Sequence, residues 1–197
     1  MNTTKGSPHG TNRKNASWAG VFYIIATVAP ILTFFFIGFL GGGVAGEPIP
    51  DYLVNVSPNE SQVIIGMLIE WIYVLAVVGI IAALLPILKK HNEALALGFF
   101  GLRLIEAICS IVGSIGLLTL LTLSHEFVKA GAPGASHFQT VGTVVLAIRD
   151  WAFLMGSGLV WSLSALILNY LLYQRKLIPR WLSVWGILGA ILITIEE

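Results

Sequence analysis

The sequence predicts an all-α polytopic membrane protein with four full transmembrane helices, a partial fifth, and its N-terminus cytoplasmic. Three observations predict it. The 197 residues are 56% hydrophobic and 11% charged, with a mean hydropathy of +0.87, whereas a soluble globule ordinarily carries about 25% charged residues. Apolar runs recur that are long enough, at ~1.5 Å per residue, to cross a ~30 Å hydrocarbon layer. They are continuous, unlike the alternating ~10-residue strands of an outer-membrane barrel. The basic residues, finally, collect on one side of those runs.

Residues 1–16 (MNTTKGSPHGTNRKNA) are polar, include Gly6, Pro8 and Gly10, and predict a disordered cytoplasmic tail ahead of a single helical membrane domain, 17–197. The apolar stretch from Val21 to Leu40 exceeds the ~7–15 residues of a secretory leader's core, so it reads as an anchor. It forms a first span, 17–40, with Trp18 at the interface and Pro30 as a kink position. Gly41 to Ser61 (GGGVAGEPIPDYLVNVSPNES) breaks the pattern with glycines and prolines and predicts a loop. The second span, 62–88, carries Glu70 and ends near Pro86. Lys89 to Glu93 (KKHNE) is a tight basic turn, and the third span follows at 94–123. Ser124 to Gln139 predicts another loop, 140–173 the fourth span, and Gln174 to Arg180 (QRKLIPR) a second basic turn. The last apolar run, 181–195, is about 22 Å long as a helix and short of the ~30 Å core. Either that helix is thinly anchored or the chain is a truncated version of something longer.

Orientation follows from charge. Lys5, Arg13, Lys14, Lys89, Lys90, Arg175, Lys176 and Arg180 fall in the tail and alternate turns, against Lys129 alone on the other side, so the positive-inside rule places the N-terminus in the cytoplasm.

The residues that demand explanation lie inside the spans. The third holds Arg103 and Glu106 in LGFFGLRLIEAICSIVGSIGLL; the second holds Glu70; the fourth holds Arg149 and Asp150. Each costs ~2.5–3.5 kcal/mol at the bilayer centre on insertion scales, so five facing lipid would cost on the order of 12–17 kcal/mol. Pairing is therefore required. Helical spacing aligns Arg103, Glu106, Ser110, Gly113 and Ser114 on one stripe, Gly66, Glu70 and Tyr73 on another, and Gly142, Arg149, Asp150, Ser157 and Ser164 on a third. Two arginines with three carboxylates sum to −1. One carboxylate, Glu70 or Glu106, then carries a proton or is balanced by a bound cation or small ligand. The alternative is that the cluster only staples helices together, with Tyr73 or a water completing it.

Other chemistry is sparse. Cys109 is single, so no intrachain disulfide or thiolate cluster forms. His125, Glu126 and His137 share a loop without the fixed spacing of a metal site, and no histidine lies within a span to ligate haem. No metal site, cofactor or catalytic residue is expected, and no basic patch suggests nucleic acid. Trp18 and Trp181 fit an aromatic belt, while Trp71, Trp151 and Trp161 read as packing. Three functions stay open: a small ion- or proton-coupled transporter; a noncatalytic sensor or assembly component; and an intramembrane enzyme acting on a lipid or quinone. The lipid bilayer is the one partner implied, and the oligomeric state is open.

Several phrases carry a family resemblance: YIIATVAPIL from Tyr23, ALLPILKKHNEALALGFFGLRLIEA from Ala83, LTLSHEFVKAGAP from Leu121, IRDWAFLMG from Ile148 and YQRKLIPRWLSVWG from Tyr173. With these the chain resembles the bacterial multi-pass membrane family known as domain of unknown function 4386. The resemblance implies a bacterial inner-membrane helical protein, usually with a further span after WLSVWG, and supplies no substrate or catalytic residue.

Overall fold

The computed structural model describes residues 8–37, 49–132 and 137–196, and among them every regular element is helical. These are α1 (Pro8–Ile37), α2 (Ile49–Val56), a 3₁₀ turn (Ser57–Asn59), α3 (Glu60–Leu88), α4 (Glu93–Lys129), α5 (His137–Phe153), a π-helical segment (Leu154–Val160), α6 (Trp161–Arg175) and α7 (Arg180–Glu196). Four stretches are long and apolar enough to cross a membrane: Arg13–Ile37, Asp51–Leu88, Glu93–Lys129 and His137–Arg175. Arg180–Ile195 is a shorter apolar helix.

α4 is the axis of the bundle. α2, α3, α5, the π segment and α6 all pack on it, α1 lies on α3, and α7 lies on α6. Short connections at the end bearing the basic turns make the neighbours antiparallel. Asn92 caps α4, its Oδ1 accepting the Leu95 N–H at 3.1 Å, which satisfies one of the donors left free at a helix start. Lys176 closes α6 in the left-handed region, with φ 53°. The Arg175 guanidinium donates to the His91 carbonyl at 2.9 Å and ties the two basic turns together.

Three expectations change. α1 begins at Pro8, not at 17, so the described part of the polar tail is helical. Proline is tolerated in a first helical turn, and extending an existing helix is far cheaper than nucleating one. Residues 38–48 lie outside the described residues, but the rest of the supposed loop 41–61 holds α2 and the 3₁₀ turn. Tyr52, Leu53 and Val56, at helical spacing, are all buried against Leu117, Leu120 and Phe127 of α4, and the Ser124 hydroxyl donates to the Leu53 carbonyl. The period was present in IPDYLVNV; the flanking glycines and prolines masked it. Likewise α4 continues to Lys129 through the stretch read as loop, because Ser124 and Phe127 are buried under α2.

Buried clusters fill the bundle from end to end. One joins α2 to α4 and α5; one lies between α3 and α4 around Val74, Val77, Ile81 and Ala107; one at the basic end joins Ile80, Leu88, Phe99, Leu168 and Leu171. Outward faces are apolar as well, as on α7, where Trp181, Trp185, Leu188, Leu192 and Ile195 are all exposed. A lipid-facing surface has that character.

Leu53→Ala in α2 is expected to lower stability by ~2–5 kcal/mol, the range for emptying a buried leucine site. The neighbouring exposed Val54→Ala should change it by less than ~0.5 kcal/mol; thermal unfolding in detergent separates the two.

Candidate functional site

The intramembrane charges form two separate ion pairs, both built on α4. In the first, Arg103 Nη1 donates to both carboxylate oxygens of Glu106, at 3.1 and 3.0 Å, from one turn away on the same helix. Arg103 is 2% exposed and Glu106 not at all. Two tyrosines close the pair: Tyr73 of α3 donates its hydroxyl to Glu106, and Tyr23 of α1 accepts from Arg103 Nη2 at 3.3 Å. The guanidinium carbon lies 5.6 Å from the ring centroids of both Tyr23 and Phe99, a cation–π arrangement that offsets lost hydration. Arg103 Nε has no acceptor among the described residues.

The second pair lies about two turns further along α4. Arg149 of α5 donates from Nη2 to Glu70 of α3 at 2.6 Å and from Nη1 to the Gly113 carbonyl at 2.8 Å. The Ser114 hydroxyl donates to the other Glu70 oxygen at 2.6 Å. α3 and α5 thus meet through a charge pair laid across α4. Gly116 permits it: a methyl there would stand 3.3 Å from the Arg149 Cβ, so a larger residue would push α5 away. The side chains of Arg149 and Glu70 are 19% and 18% exposed, less dry than the first pair.

Between the pairs α4 carries a ladder of hydroxyls. Ser110 donates to the Glu106 carbonyl at 3.0 Å, and Ser114 also reaches the Ser110 carbonyl at 3.1 Å. Facing it, the π segment brings its backbone close, since a methyl on Gly156 would lie 2.6 Å from the Cys109 Cβ. Ser157, the next residue, lies beside the Tyr73 hydroxyl. A π turn widens the helix locally and often marks a functional or strained place.

Of the residues the sequence singled out, Arg103, Glu106 and Tyr73 come together, as do Glu70 and Arg149. Asp150 joins neither group. It is exposed on α5 and makes no hydrogen bond or ion pair among the described residues. Consecutive helical residues point ~100° apart, so turning Arg149 toward Glu70 turns Asp150 away. The sum of −1 for the buried cluster is therefore corrected: two arginines face two glutamates, and the interior balances to zero. Trp71 and Trp151 are also exposed rather than packed inside. His125 contacts Glu60 at 3.6 Å, Glu126 contacts Lys129 at 2.8 Å, and His137 stacks on Phe138, so these two helical histidines go to separate partners. Sequence reasoning missed Tyr23, Gly116 and the π segment; the paired glycines of MGSGLV were the available signal for the last.

A family model described as Domain of unknown function (DUF4386) matches residues 18–197. No curated protein and no solved structure matches the chain.

Arg103→Leu is expected to cost ~3–5 kcal/mol, because it leaves Glu106 buried without its counter-charge. The double change Arg103→Leu with Glu106→Leu should recover much of that loss. Unfolding in detergent, followed by tryptophan fluorescence, measures both.

Proposed function

We propose, for a chain that belongs to the family described as Domain of unknown function (DUF4386), a noncatalytic role as a sensor or assembly component of the bacterial cell (inner) membrane. The observation that carries this reading is the internal charge balance: Arg103 with Glu106 and Arg149 with Glu70 each close on themselves. A carrier that exchanges protons or cations through these acids needs one of them free to change partner. Here Glu106 is held by Arg103 and Tyr73, and Glu70 by Arg149 and Ser114. The Glu70–Arg149 pair joins α3 to α5, and Tyr23 joins α1 to Arg103 of α4; these helices otherwise touch little, as stapled helices do. The bacterial setting and the cytoplasmic N-terminus rest on the family resemblance and on the basic turns at one end.

A small ion- or proton-coupled transporter is the second reading. It is favoured by the partial exposure of the Glu70–Arg149 pair, which gives one acid a route to exchange. Under that reading Glu70, Arg149 and Ser114 are the ligand or cation site and Arg103, Glu106 and Tyr73 hold the frame.

Flux decides between them. In proteoliposomes with an imposed pH gradient or potassium diffusion potential, the wild-type chain should pass protons and monovalent cations no faster than protein-free vesicles, and Glu70→Gln should change nothing. Flux in the wild type that Glu70→Gln abolishes, with the variant still folded, would overturn the noncatalytic role in favour of transport.

A further inference from the structure

The remaining intramembrane charge points out of the bundle. Asp150 lies 13 residues after His137, about 20 Å along a continuous helical rod of about 58 Å that runs from His137 to Arg175. The exposed side chains nearest its direction on α5 are Phe153, one turn on, Trp151 beside it and Thr143 two turns back, so the apolar rings dominate its surroundings. A carboxylate in such a field is expensive in lipid unless something pairs with it. Its neighbour Arg149 is committed to Glu70 and the Gly113 carbonyl, and no other described residue bonds to Asp150.

We propose that the Asp150 face of α5 is an intramembrane docking surface for a helix of another membrane protein carrying a lysine or arginine at matching depth. Charge complementarity selects that occupant. A second copy of this chain fits poorly, because its intramembrane arginines, Arg103 and Arg149, are both paired inside, and a symmetric contact through this face sets two Asp150 carboxylates against each other. The apolar side chains flanking Asp150 supply the packing area, and the single acid supplies the register, the role polar groups take at helix interfaces in lipid. This surface rests on the assembly-component reading and names the chemistry of its partner.

The test uses two synthetic transmembrane peptides in phosphatidylcholine vesicles holding the full chain. One is leucine-rich with a single lysine at the depth of Asp150; the other has leucine there. Energy transfer from the labelled chain should report association at least tenfold tighter for the lysine peptide, and Asp150→Asn should bring it down to the leucine peptide's level. Asp150 makes no hydrogen bond or ion pair among the described residues, so Asp150→Asn should unfold close to the wild-type temperature. If that variant fails to fold, the two peptides compared on the wild-type chain still decide. Equal binding of both peptides overturns the surface while leaving the noncatalytic role standing. Asp150-dependent self-association without peptide overturns it in favour of a second copy. Asp150-dependent peptide binding supports the surface even where the flux assay goes against the noncatalytic role, so the two can fail separately.

Discussion

The protein depends on one constraint: an ion inside a hydrocarbon layer must be neutralised by another ion within reach, because no water is there to do it. α4 meets that constraint twice. Arg103 and Glu106 neutralise each other one turn apart, and the Gly113–Ser114 step receives a pair delivered from α3 and α5. Because each pair recruits partners from other helices, the same bonds that make the charges tolerable also fix where α1, α3 and α5 lie. Tyr23 orients α1 toward α4 although α1 packs on α3, and Arg149 joins α5 to α3 across Gly116. The apolar clusters fill the bundle, but in lipid they discriminate little between one helix face and another. The polar contacts choose the faces.

The two pairs differ in ways that bear on function. The Arg103–Glu106 pair is buried and faces the π segment, whose Gly156 lets the backbone approach Cys109. The Glu70–Arg149 pair is nearer the end closed by α2 and is partly open. Asp150 sits one residue from Arg149 but is turned about 100° round the helix, onto the exposed surface. A single dipeptide thus carries an inward charge that is satisfied and an outward one that is not, which is why the same short stretch of α5 supports an internal staple and a proposed external contact.

Much of this was legible in the sequence, and the failures have physical causes. The four spans, the short fifth helix and the α4 stripe from Arg103 to Ser114 follow from run length and the 3.6-residue period, which tertiary packing did not override. That Glu70 and Tyr73 face α4 followed from the need to pair charges. Treating Asp150 as part of the buried cluster failed because adjacent helical residues cannot share one direction, and the choice between Arg149 and Asp150 depended on where Glu70 lay. α2 was hidden by surrounding turn residues, although Tyr52, Leu53 and Val56 held the helical period. Tyr23 carried no mark to separate it from its apolar neighbours, and the π segment lies where Gly156 comes close to Cys109 of α4. Neither appears until the helices are placed.

The central claim is that Glu70 and Arg149 are energetically coupled across α4. A double-mutant cycle with Glu70→Gln, Arg149→Met and the double variant, read from reversible unfolding in detergent, measures that coupling. The account predicts a coupling of about 0.5–3 kcal/mol, with either single change nearly as damaging as both together. Additive losses, with a coupling near zero, would contradict it.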